Sequence, residues 1–210
     1  MKLNKLLVEC AGSFFLVLVV NICALGSLNA STAMVMGMVL MAMTYAGGHI
    51  SGAHFNPAIT IAVFIRGKCS AADVPAYIFA QLLGAAMAAL TAGAFFMGNV
   101  GKGMDLSVTA LQAVVAEILG SFAITWVLLN VTSSRDTIGN SYYGLAIGAV
   151  VASLSMVFGP ISGGVFNPSI ALSYGINNIS GFNNFWIYLI GEVIGAIIAA
   201  YVFLFANGKD

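Results

Sequence analysis

Two short stretches hold most of the polar chemistry of this chain. "GHISGAHFNPAIT" covers residues 48 to 60 and "GPISGGVFNPSIA" covers residues 159 to 171. Each reads I-S-G, then three residues, then Asn-Pro: Asn56-Pro57-Ala58 in the first, Asn167-Pro168-Ser169 in the second. Asn is a preferred N-cap, and Pro is favoured in the first helical turn because its missing N–H would be unpaired there anyway. Each Asn-Pro therefore predicts the start of a helix capped by Asn. A capping Asn accepts through Oδ1 and still holds amide N–H groups that can donate to a water or a solute hydroxyl.

The remaining ionisable groups are few. Glu9 and Glu117 sit inside apolar runs, where a carboxylate is costly and faces protein or water. They suit a structural role, accepting hydrogen bonds from backbone N–H groups that have no other partner; a proton relay is the competing reading. Gln81 and Glu192 occupy matching places and both can accept, which disfavours an obligatory proton carrier. His49 and His54 precede the first Asn-Pro without carboxylate or Cys company at ligand spacing, so no metal site is expected. Cys10, Cys23 and Cys69 show no C-x-x-C pattern and read as small apolar filler. No Ser/His/Asp set or phosphate loop points to an enzyme, and no cofactor is expected.

The elements that position these residues follow from composition. Of 210 residues, 60% are hydrophobic and only 7% charged, and the mean hydropathy is +1.02. A soluble domain carries roughly a quarter charged residues, so this is a helical membrane protein embedded in a lipid bilayer. The zero net charge excludes nucleic acid as a partner. Glu9 interrupts the first apolar run, so the beginning reads as a retained membrane helix rather than a leader. Apolar runs at 6–25, 33–50, 74–97, 111–131, 142–158 and 183–206 predict six spans. Two shorter runs, 57–66 and 168–176, each open on one of the prolines and predict half-helices. Met34, Met36, Met38, Met41 and Met43 crowd the second span, mostly as gap-filling core. Gly144-Gly148 and Gly191-Gly195 read as close helix-packing sites.

With six spans both termini share one side. Lys2, Lys5, Arg66, Lys68, Arg135 and Lys209 fall on that side and Lys102 opposite, so both termini are expected to be cytoplasmic. The short termini suggest a plasma (inner) membrane protein of a bacterium or archaeon. "ECAGSF" from Glu9 matches "EILGSF" from Glu117 at an offset of 108 residues; the Asn-Pro stretches, and "QLLGAAMAA" from Gln81 with "EVIGAIIAA" from Glu192, match at 111. Residues 1–105 and 106–210 are thus two repeats of three spans and a half-helix. Three is odd, so one repeat is inverted relative to the other, and the two half-helices enter from opposite sides to meet near mid-membrane. Irregular backbone at that depth requires burial in protein or a polar cavity. The facing positive dipole ends would repel cations there.

On these motifs the chain resembles the aquaporin and aquaglyceroporin family over its whole length. The resemblance implies an all-α, aquaporin-like fold and a homotetramer in which each subunit passively conducts water or small uncharged solutes. In that family four side chains narrow the outer pore, one of them an Arg three residues after the second Asn. The corresponding positions here are Met36, Ser155, Gly164 and Ile170. Without the guanidinium this constriction is expected to be wider, less polar and uncharged, admitting glycerol, urea, ammonia, hydrogen peroxide or metalloid acids. Gly48 and His49 are expected at the cytoplasmic mouth, with the carbonyls of residues 47–50 as acceptors. The alternatives are an ion-coupled secondary transporter of a small solute, which also uses inverted repeats, and an adhesion protein that lost conduction.

Overall fold

Helix follows helix along the chain, because apolar residues that cannot hydrogen-bond to lipid leave the backbone no other partner. The structure is a computed structural model, and it describes residues 2–26, 29–97 and 108–208. The helices are α1 (Leu3–Leu25), α2 (Asn29–Ser51), α3 (Pro57–Ile65), α4 (Val74–Thr91), α5 (Ala110–Ser133), α6 (Tyr143–Ser162), α7 (Pro168–Ile176) and α8 (Phe185–Asn207). The described residues form no strand. Six of these helices are long and apolar enough to cross a membrane. α3 and α7 have nine residues each, about 14 Å of helix against roughly 30 Å of hydrocarbon, so each covers half the thickness. Lys102, Lys209 and the expected boundary between residues 105 and 106 lie outside the described residues.

One boundary departs from expectation by several residues. α6 was expected to stop at residue 158 but runs through Pro160 to Ser162. The ring removes only the helical bond to the Met156 carbonyl, in the last turn, and the helix ends shortly after at Gly163 with φ +97°. α4 continues as a widened, π-type stretch over Ala92–Met97.

α1 packs on α2 and α4, α5 packs on α6 and α8, and α2 against α6 joins the two halves. Glycines set these crossings. A Cβ on Gly37 would stand 2.3 Å from the Gly148 carbonyl oxygen, one on Gly84 2.3 Å from that of Cys10, and one on Gly195 2.4 Å from that of Ile118. Gly144 is closed by the Tyr45 ring and Gly191 by Glu117. Small residues are what allow helices to approach this closely in lipid, where no hydrophobic effect pushes them together. The polar side chains Glu9, Asn21, Gln81, Glu117 and Glu192 are fully buried, while Phe79, Leu90, Leu119 and Phe205 are exposed on the outside. Met34 and Met38 also face outward, so the methionines of α2 are less a core feature than expected; Met36 is buried.

Candidate functional site: two facing half-helices

Asn56 and Asn167 stand at the first turns of α3 and α7. Asn56 Oδ1 accepts from the Ala58 N–H at 2.8 Å and the Ile59 N–H at 3.3 Å, and Asn167 Oδ1 accepts from the Ser169 N–H at 2.9 Å. The amides then cross between halves. Asn56 Nδ2 donates to the Phe166 carbonyl at 2.8 Å, and Asn167 Nδ2 donates to the Phe55 carbonyl at 2.9 Å. One N–H of each amide is therefore spent on locking the loops together. The second N–H of each is left for whatever occupies the cavity that both residues line.

The loops that present the asparagines are strained and held. Ala53, Phe55 and Phe166 lie at φ +51°, +48° and +51°, a left-handed conformation that non-glycine residues rarely adopt. Glu9 supports the first loop: Oε1 accepts from Ser51 Oγ at 2.6 Å and the His54 N–H at 3.0 Å, and Oε2 from the Phe55 N–H at 2.8 Å. Glu117 supports the second in the same way, through Ser162 Oγ at 2.6 Å, the Val165 N–H at 3.1 Å and the Phe166 N–H at 2.8 Å. Tyr77 and Tyr188 donate to the Ser51 and Ser162 carbonyls at 2.7 and 2.9 Å. Three residues after each Glu, on the same helix face, a glycine receives the loop's aromatic ring. A Cβ on Gly12 would sit 2.1 Å from Phe55 Cε1, and one on Gly120 2.0 Å from Phe166 Cε1.

The halves differ beside these acids. Gln81 Nε2 donates to Glu9 Oε2 at 2.8 Å and to Thr60 Oγ1 at 2.9 Å, and His54 Nδ1 lies 3.1 Å from the same Thr60 oxygen, its ring 5.0 Å from that of Tyr77. His54 thus packs within the loop. At the positions 111 residues on, Thr60 becomes Ala171 and Gln81 becomes Glu192.

Two cavities lie in the bundle and share Met36 in their walls. The wider holds about 500 Å³ and is lined by Thr32, Met36, Ser155, Pro160, Gly164 and Tyr174 among others. The narrower, at the asparagines, has about 20 Å³, space for on the order of one water. Its walls include Leu40, Ile59, Ile124, Ile147, Val151 and Ile170, so the two Asn amides and His54 are the polar points in a mostly apolar passage. Met36 lines both cavities. Of the four expected constriction residues, Met36, Ser155 and Gly164 converge: Ser155 Oγ donates to the Gly164 carbonyl at 3.2 Å and lies 3.8 Å from Met36 Sδ. Ile170 is fully buried and lines the narrower cavity with Met36, Asn56 and Asn167, apart from Ser155 and Gly164.

The expected mouth residues Gly48 and His49 lie in the last turn of α2. The chain stays helical through Ser51, so the Gly48 carbonyl already accepts from the Gly52 N–H at 3.0 Å, and a Cβ on Gly48 would meet the Tyr143 ring at 3.5 Å. His49 is exposed, and neither residue lines the two cavities. Sequence reasoning missed the carbonyls of Phe55 and Phe166 and the ring sockets at Gly12 and Gly120. The signal was present in the repeated Glu-x-x-Gly of "ECAGSF" and "EILGSF". It also missed a polar network under α7, where Asn177 Nδ2 donates to Asn21 Oδ1 at 2.8 Å and to the Ala89 carbonyl at 3.0 Å, and Asn21 Nδ2 donates to Ser173 Oγ at 2.8 Å.

Comparison with known proteins gives a consistent result. The model of the family described as "Major intrinsic protein" matches residues 1–203. Nodulin-26 from Glycine max is 37% identical over 218 residues, covering 99% of this chain and 79% of that protein. Aquaporin NIP1-1 from Zea mays is 35% identical over 213 residues, covering 96% and 74%. Among solved structures, the aquaglyceroporin from Plasmodium falciparum matches with a TM-score of 0.80 at 19% identity, covering 95% of this chain and 94% of the other, a likeness of fold.

Proposed function

This chain belongs to the major intrinsic protein family of membrane channels, not enzymes, and from that premise we propose how its own residues conduct. It is a multi-pass membrane channel for water and small solutes. The observation that carries the finer reading is the pair of Asn-capped half-helices whose amides line one cavity. A neutral solute arriving from the wide cavity passes Met36, exchanges part of its hydration for the free Asn N–H groups, and moves on along an apolar wall. A cation meets donors only and the positive ends of two helix dipoles, so its hydration is not replaced.

The position where the family carries Arg is Ile170, at the narrower cavity, while Ser155 and Gly164 line a wide, uncharged cavity that Met36 shares with it. That favours small uncharged solutes beyond water: glycerol, urea, ammonia, hydrogen peroxide or undissociated metalloid acids. Size selection then falls at Met36 and the asparagines rather than at the outer cavity. Met36 is unbranched and has several rotatable bonds, so it can turn aside for a solute larger than water. The further expectations stand with this reading: two inverted repeats at 1–105 and 106–210, a homotetramer with one pore per subunit, and a plasma-membrane location with both termini cytoplasmic. The asymmetry of Lys and Arg supports the orientation.

Stopped-flow light scattering on proteoliposomes, with water, glycerol and urea gradients applied to one preparation, tests the function. Permeability above empty vesicles for glycerol or urea is expected. Raised water flux with glycerol and urea at the empty-vesicle rate would overturn the claim of a wide, uncharged selection.

A further inference from the structure

Glu192 is the one member of the loop-supporting network that has no account in the channel reading. It is fully buried on α8, and neither of its carboxyl oxygens has a hydrogen-bond partner in the structure. An ionised carboxylate so placed would be a buried charge without compensation, which a protein interior tolerates poorly. Its neighbour Gly191 packs directly on Glu117, with a Cβ there standing 2.7 Å from Glu117 Cβ. α8 packs along α5 as α4 packs along α1, and Glu192 holds on α8 the repeat position of Gln81. So the turn of α8 that carries Glu192 packs on Glu117, behind the second pore loop that Glu117 holds.

The other half of the molecule shows what such a position does. There Gln81 donates one N–H to Glu9 Oε2, the same oxygen that takes the Phe55 N–H, and one to Thr60 Oγ1. Two acceptors require two donors, and an amide supplies them. In the second half Ala171 replaces Thr60, so only the carboxylate of Glu117 remains to be served. A neutral carboxylic acid has one O–H to give. We infer that Glu192 and Glu117 hold one proton between them, with the Glu192 O–H donating to Glu117 in the place of the Gln81 amide, and that this proton site keeps the loop of Asn167 in position.

Glu192 acts through Glu117, so it is a positioning residue. The titratable groups facing the pair are Tyr188, four residues earlier on α8, and Tyr174 from α7. Tyr188 spends its O–H on the Ser162 carbonyl and lies 3.0 Å from Ser180 Oγ. Arg66, at the end of α3, is turned to the Phe203 ring at 5.0 Å, about three turns further along α8. When the shared proton leaves to water, two negative charges face each other beneath Val165 and Phe166, and the loop they hold is pushed from its place.

The proposal rests on the channel reading for its consequence, but its first readout does not. Infrared difference spectra of the reconstituted protein should show a protonated carboxyl C=O band at neutral pH, lost in Glu192→Gln. The amide restores the Gln81 arrangement, so Glu192→Gln should conduct as the native chain does at neutral pH and hold that rate into alkaline pH, where the native rate changes several-fold. Glu192→Leu, which keeps volume without a donor, should lose conductance at both. Absence of the band, its survival in Glu192→Gln, or an unchanged alkaline response in that variant would each overturn the shared proton. Failure of conduction in every protein with the band behaving as expected would instead count against the channel reading alone.

Discussion

Asn56 and Phe166, 110 residues apart in sequence, are joined by a 2.8 Å hydrogen bond from the amide of one to the carbonyl of the other. The reciprocal bond from Asn167 to Phe55 closes the exchange. Each half therefore completes the other's pore loop, and each helix end is fixed by a donor that the opposite loop requires.

Asn56→Asp and Asn167→Asp should raise cation leak. Asp keeps the cap but loses the N–H that reaches the opposing carbonyl, setting two acceptors against each other. Its negative charge also offsets the positive helix end that repels cations. Ion flux across vesicles carrying each variant measures this. An unchanged leak in folded protein would remove the barrier from the two helix ends.

Ile170→Arg should lower glycerol flux more than water flux. The long side chain can reach from the inner passage toward the cavity of about 500 Å³ lined by Met36, Ser155 and Gly164, where water moderates its desolvation. There it fills space and adds a positive charge, so any cation leak should also fall. The ratio of the two permeabilities decides it, and an unchanged ratio would show that Ile170 does not control passage.

Met36→Ala should act oppositely. Met36 borders both cavities, and truncation opens their junction without adding charge. Glycerol permeability should rise relative to water in the same light-scattering assay. If it does not, the limit lies at the asparagines.

Glu117→Gln should destabilise the protein where Glu192→Gln does not. Glu117 accepts three hydrogen bonds through its two oxygens, and a Gln offers only one oxygen. A buried N–H, that of Phe166 or Val165, is left unpaired at a cost of about 1–3 kcal/mol. Thermal unfolding in detergent should show the loss, together with reduced conductance at every pH.

Gly120→Ala tests the ring socket. The added methyl would overlap Phe166, and overpacking of this kind costs about 1–3 kcal/mol. Lower unfolding temperature with reduced water flux is expected, since the displaced ring belongs to the residue whose carbonyl holds Asn56. A variant as stable and as conductive as the native chain would show that the loop can give way.

What the sequence determined by itself is what local chemistry controls. Runs of apolar residues long enough to span lipid must be helices, and Asn-Pro must open one, because capping and the missing proline N–H act within a turn. Hence the starts of α3 at Pro57 and α7 at Pro168 were legible. The repeats of Glu9 with Glu117 were legible too, since a duplicated chain writes its duplicates in order. The tertiary structure alone decided the crossed bonds between Asn56 and Phe166, the placing of Ile170 in a different cavity from Ser155 and Gly164, and the course of α2 through Gly48 and His49. It also decided that Gly191, next to Glu192, packs against Glu117. These depend on contacts between residues tens to more than a hundred positions apart, where helix crossings and close glycine approaches set the geometry, and no local preference encodes which distant carbonyl a side chain will reach.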